Sequence, residues 1–200
     1  MIYGRVKSDS GLIVNGQLSA GRFDVRTARL ATVGPTTYTL RSKDEATAVT
    51  AELGVGYTAI DTDVTVTPAA SLRLSRIGFS PVQETGGGPA LTIDRGDFST
   101  IETRLGFTVE GKAPTFKPYL TANYVHAFGD QPAAFGANFV GGVGPNAVFA
   151  VAGVDHDWGE VGAGLSAGNE MMQVSVAAET SVGRSDVESQ SYRASVKFRF

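Results

Sequence analysis

Apolar residues return at every second position over most of this chain. Such a period fixes the backbone as extended strand, because successive strand side chains point to opposite faces. Between positions 64 and 74 the even residues Val64, Val66, Pro68, Ala70, Leu72 and Leu74 are apolar, whereas Thr65, Thr67, Ser71 and Arg73 are polar. Leu12, Val14, Leu18 and Ala20 alternate in the same way with Asn15, Gln17 and Ser19, and Val49, Ala51, Leu53, Val55 and Tyr57 with Thr50, Glu52 and Gly54. Further on, Leu105, Phe107 and Val109 oppose Glu102, Arg104 and Thr108, and Phe116, Pro118, Leu120, Ala122 and Tyr124 oppose Lys117, Thr121 and Asn123. Val161, Ala163 and Leu165 oppose Glu160, Gly162 and Gly164, and Met172, Val174, Val176 and Ala178 oppose Gln173, Ser175 and Glu179. No helical period persists. No stretch approaches the roughly 18 uninterrupted apolar residues of a membrane-crossing helix, and the longest weakly charged region, 133–154, is broken by Gly and Pro.

The connections fall into two kinds. Residues 8–10, 60–62, 111–114 and 167–170 read as tight turns, whereas 27–45, 78–94 and 129–155 read as long loops rich in Gly, Pro, Thr and Asn, with 183–186 short. Short turns at one end and long loops at the other are the layout of an outer-membrane barrel. The pattern predicts about eight full strands plus part of another at residues 2–7, each near the ~9–11 residues that cross a bilayer at a tilt.

Composition is neutral on this point. With 42% hydrophobic and 18% charged residues the chain resembles an ordinary soluble domain, but alternating barrel strands average to the same value. The absence of Cys removes disulfides, thiolate metal sites and a cysteine nucleophile, and suits passage through an oxidising periplasm. A net charge of -3 with scattered Lys and Arg offers no nucleic-acid face. The N-terminus lacks the positive start and apolar core of a signal peptide, so the sequence reads as part of a longer exported polypeptide. The charges Glu52, Arg73, Glu102, Arg104, Lys117, Glu160, Glu179, Arg193, Lys197 and Arg199 share the polar face. A sandwich would put the apolar face in its core and a barrel would put it in lipid, so this segregation fits both. Tyr57, Phe107, Phe116, Tyr124, Phe128, Tyr192 and Phe198 near strand ends favour the barrel, where aromatics mark the interfaces. The charged residues are then lumen-facing.

The chain ends inside a strand, with Tyr192, Ala194, Val196, Phe198 and Phe200 on one face. An amphipathic last strand with terminal Phe looks like the signal read by the barrel-assembly machinery, through strand addition to an open sheet edge.

From about residue 11 to 200 the sequence resembles the C-terminal β-domain of autotransporters. The resemblance is carried by residues 11–23, GLIVNGQLSAGRF, like an inner strand of that family, and by 67–76, TPAASLRLSR, followed by Phe79 and Glu84, like its Pro-containing strand and loop. Residues 115–125, TFKPYLTANYV, are similar to a second Pro-containing strand, and 161–166, VGAGLS, to the penultimate region. The resemblance implies a twelve-stranded antiparallel transmembrane barrel around a pore helix, of which about three strands and the helix have no counterpart here. It implies a single, partial domain over 1–200 in the Gram-negative outer membrane, exporting and anchoring an N-terminal passenger. Expected partners are outer-membrane lipid, the assembly machinery and the passenger, with the barrel itself monomeric. The alternatives are a small standalone porin-like or structural barrel and, last, a soluble lectin-type sandwich.

No catalytic residue, cofactor or metal site is expected. Asp155, His156 and Asp157 resemble the rim of an outer-membrane protease, but successive strand residues point apart and cannot converge without a bulge. His126, between Tyr124 and Phe128 in register, reads as an interface residue. The glycines 86–88 lack the Gly-Lys-Ser/Thr of a phosphate loop, and Gly54, Gly56, Gly106, Gly162 and Gly164 read as room and curvature for the lumen.

Overall fold

The computed structural model describes residues 1–113, 115–128, 134–142, 144, 146–150, 155–169, 171–185 and 188–198. Fourteen strands are present and no helix among these residues: β1 (Ile2–Lys7), β2 (Leu12–Val33), β3 (Thr36–Tyr57), β4 (Ile60–Asp61), β5 (Val64–Phe79), β6 (Val82–Gln83), β7 (Leu91–Arg95), β8 (Phe98–Gly111), β9 (Phe116–Phe128), β10 (Ala134–Phe139), β11 (Ala147–Ala150), β12 (Asp157–Gly168), β13 (Met172–Val182) and β14 (Gln190–Phe198). The large sheet runs β1-β2-β3-β5-β8-β9-β12-β13-β14, with β4 beside β5, and neighbouring strands on this path pair antiparallel. Eight full strands and the short β1 make up that path.

The sheet curls into half a barrel, and its register carries the stagger of one. A single row of directly paired residues reads Gly56, Ala69, Gly106, Asn123, Glu160, Ser181. It starts one residue from the turn end of β3 and finishes one residue from the loop end of β13. Strands must therefore tilt across the row, as they do when a sheet closes around an axis.

All three stretches read as long loops hold strands. Residues 27–45 are the upper half of a hairpin in which β2 and β3 stay paired without a bulge from Leu12↔Tyr57 to Val33↔Thr36. The turn is Gly34-Pro35, and Gly34 sits at φ +58°, where a Cβ is disfavoured. At the tip Thr32, Thr36, Thr37 and Thr39 are polar, β-branched and exposed, so the apolar period that marks a half-buried strand is missing there. Within 78–94 and 129–155 lie β6, β10, β11 and all but the last residue of β7, which form a second antiparallel sheet in the order β11-β10-β7-β6. Arg41 of the hairpin and Thr85 exchange backbone hydrogen bonds of 2.9 Å in both directions, so this small sheet caps the upper hairpin. Leu40, Val82, Ala90 and Ala137 are buried in the cap region.

Candidate functional site

The two faces of the large sheet differ in kind. Leu53, Val55, Leu72, Leu74, Leu105, Phe107, Leu120, Val161 and Val176 stand on one face, each 40–63% exposed. An apolar band of that extent left open marks a surface that contacts something other than water. The opposite face is polar yet largely covered: the side chains of Glu52, Glu102, Arg104 and Glu160 are only 17, 18, 13 and 16% exposed. Arg73 donates to Glu52 at 2.9 Å through Nε. Arg104 donates to Glu102 at 3.0 Å and to Glu160 at 3.1 Å. The last contact joins β8 to β12 over the top of β9, which requires these side chains to lean together, so the polar face is the concave one. A sandwich has its covered face apolar; here that arrangement is inverted.

Glu179 lines the same hollow, a space of about 240 Å³ bordered also by Trp158 and Arg184. Trp158 donates its indole N–H to Glu160 at 3.3 Å, and the Arg184 guanidinium lies 4.2 Å from the centre of its ring. Trp158 packs with Val125 and Ala127 into a small buried cluster. Sequence reading missed this trio, although Trp158 is the only tryptophan in the chain. Arg104 keeps one nitrogen, Nη1, buried with no acceptor among the described residues. Lys117, Arg193 and Lys197 share the polar face through the pairs Lys117↔Ser166, Arg193↔Ala177 and Lys197↔Gln173, and all three are exposed.

The glycines on this face seat neighbouring side chains rather than leave voids. A Cβ on Gly164 would lie 2.3 Å from the Tyr119 ring, and one on Gly106 would lie 2.1 Å from the Ala122 carbonyl oxygen. Tyr119 thus lies over Gly164, and Asn123 over Gly106.

Tyr192, Ala194, Val196 and Phe198 of β14 share the outward face, with Tyr192, Val196 and Phe198 78, 56 and 58% exposed. Arg199 and Phe200 lie outside the described residues, as do Pro114, Gly129 and Asp186. Asp155, His156 and Asp157 go to three different partners: Asp155 accepts from the Ser185 hydroxyl at 2.8 Å, His156 Nδ1 lies 2.9 Å from the Ala127 carbonyl oxygen, and Asp157 pairs with Tyr124 and, at 2.7 Å, with His126. They do not converge. His126 stacks edge-on to Phe128 at 4.6 Å on the outward face.

An antiparallel, sheared sheet with an apolar outside and a paired-charge inside defines the outer-membrane barrel class. The family model for the autotransporter β-domain matches residues 1–181, and the chain belongs to that family. The match begins at Met1, ten residues before the resemblance read from the sequence, and stops before β14. A solved structure, the transport unit of the autotransporter AIDA-I from Escherichia coli, is similar with a TM-score of 0.50 and 15% identity, covering 96% of this chain and 69% of that one. A search of curated proteins finds no match. The chain is therefore an autotransporter translocator domain, with a passenger segment as its natural attachment; the standalone porin-like alternative is not favoured.

Proposed function

We propose that this domain sits in the outer membrane of a Gram-negative bacterium with its outward apolar band in lipid and its charged concave face lining the path of the passenger. The observation that carries the reading is the inversion of the two faces: apolar side chains exposed outside, Arg73, Arg104 and their carboxylate partners covered inside. In hydrocarbon the cost of an unpaired polar group is several kcal/mol, so charges belong on the face away from lipid. A passing polypeptide would meet a wall of paired charges, which hold water and one another. Lys117, Glu179, Arg193 and Lys197 extend that wall toward β14. The last strand, through Tyr192, Ala194, Val196, Phe198 and Phe200, is the segment the barrel-assembly machinery would add to its own sheet edge. The role is mechanical and needs no catalysis, cofactor or metal.

Refolding into detergent or liposomes, read by heat-modifiable gel migration and circular dichroism, tests the reading. A strand-rich, heat-modifiable species that requires detergent is expected, together with poor insertion in cells when Phe200 is deleted. A monomer soluble without detergent would overturn it.

A further inference from the structure

Outward-facing polarity switches at one level of the sheet. On β3 the outward residues are Val49, Leu53, Val55 and Tyr57 below, then Thr47, Glu45, Lys43 and Arg41 above; on β2 they change from Leu18 and Ala20 to Arg22, and on β5 from Leu74 to Arg76. At that level lies an open depression of about 570 Å³. Thr47 and Gly78, directly paired, form its floor, and the ion pairs Arg22–Glu45 and Arg76–Asp97 form its walls. Val49 closes its lower edge, where the apolar band begins.

We infer that this depression is a docking site for the phosphorylated headgroup of an outer-leaflet glycolipid, with Arg22 and Arg76 taking the phosphate and the acyl chains descending over Val49 and Leu74. The inference rests on the membrane reading above. Three observations carry it. The depression sits where apolar surface gives way to charge, a height at which one molecule can touch both. The end of the sheet is the one bearing the long hairpin and the capping sheet, hence the outer leaflet under the layout of short inner turns and long outer loops. The charge has the right sign: besides the two pairs, Arg26, Arg41 and Lys43 stand above on the same face against one further carboxylate, Asp24, which gives a cationic excess on a chain whose net charge is -3. Gly78 keeps the floor low, since a Cβ there would lie 3.3 Å from Thr47 Oγ1 and 3.4 Å from Asp97 Oδ1. Planar guanidinium groups suit phosphate because they offer two parallel donors.

The test is binding of lipid A to the refolded barrel in detergent, with dephosphorylated lipid A and inorganic phosphate as parallel probes, for the parent and for Arg22→Gln/Arg76→Gln. Heat-modifiable migration of both proteins comes first, and a chain that stays soluble without detergent would sink the membrane reading together with this site. In folded barrels, lipid A binding to the parent that drops at least tenfold in the double variant, and that dephosphorylation also weakens at least tenfold, is expected. Equal binding by the variant, or equal binding of dephosphorylated lipid, overturns the inference. Inorganic phosphate competing at lipid A concentrations overturns it too, since the site would then be a free-anion site. An Arg26→Gln variant, which leaves both pairs intact, is expected to lose no more than about threefold.

Discussion

Strand β3 passes through two environments without changing register. In its lower half, Leu53, Val55 and Tyr57 point outward and are exposed, while Glu52 points inward and is covered. In its upper half the same outward parity carries Arg41, Lys43 and Glu45, and the inward parity carries Leu40, fully buried, and Ala46. The lower half is built for a nonpolar surrounding and the upper half for water. Under the proposed membrane placement one strand therefore holds the boundary, between about Ala46 and Val49, and burial alone would have misread either half. What separates the regions is the solvent each surface is written for.

The sharpest way to break that comparison is to place the same charge on both halves of the outward face. Leu105→Arg, mid-strand on β8, is expected to cost about 2–4 kcal/mol in a bilayer, as does Leu72→Arg on β5, whereas Thr39→Arg on the upper hairpin stays within about 0.5 kcal/mol. Urea titration of barrels folded in phospholipid vesicles reads the difference. Equal costs at the two heights would erase the proposed boundary.

Next in size is a change on the concave face. Gly106→Ala puts a Cβ 2.1 Å from the Ala122 carbonyl oxygen, and backbone cannot swing aside as a side chain can, so a loss of about 1–3 kcal/mol is expected. Gly164→Ala meets only the outer part of the Tyr119 ring and should cost less. The same unfolding titration ranks them, and a reversed order would show that the Tyr119 ring is held more firmly than the strand.

The lower half was legible because a sheet with one apolar and one charged face imposes a strict rule on every second residue. Strand existence, pairing parity and the charged face of Glu52, Arg73, Glu102, Arg104 and Glu160 all follow from that rule. Above the boundary it lapses: both faces of the hairpin tip are wet, so Thr-rich stretches that are fully strand read as loop. The capping sheet was hidden for another reason. Its strands are short, and it is assembled from two loops about fifty residues apart, a pairing that no local period encodes. The ion pairs were half visible; the sequence placed charges on one face but could not say that Arg104 would reach over β9 to Glu160. Glu84 appeared only as part of a family-like block, with no sign of its partner Arg29.

That partner supplies the third prediction, which belongs to the cap alone. Glu84 is 5% exposed and accepts two hydrogen bonds of 2.7 Å from Arg29 and one of 2.9 Å from the Leu91 N–H. The Arg29 bonds hold its carboxyl below the usual carboxylate range; burial opposes this, and Leu91 adds to it. Because the folded carboxyl is the stronger acid, its contribution to cap stability is complete above the ordinary carboxylate pKa of about 4.3 and is lost as pH falls through the depressed value. Arg29→Met leaves a buried acceptor pair short of donors, at about 1–3 kcal/mol. Hydrogen exchange at Leu91 should accelerate and its protection should fail at a higher pH than in the parent, with heat-modifiable migration of the barrel unchanged. A simultaneous loss of barrel migration would mean that cap and barrel unfold as one unit.

The smallest expected effect is the mirror of the first. Thr65 lies near the turn end of β5 on the concave face, directly opposite Glu110, and donates to Asp61 at 3.1 Å. Thr65→Arg removes that exposed hydrogen bond but sets a cation across from Glu110 and near Asp61, in a wet space with room for a long side chain. The change should stay within about 0.5 kcal/mol, against the 2–4 kcal/mol of Leu72→Arg on the other face of the same strand. Parity and height both separate the two substitutions, seven residues apart on one strand. If Thr65→Arg instead cost as much as Leu72→Arg, the concave face would not be the aqueous one, and the charges gathered on it would need another explanation than passage.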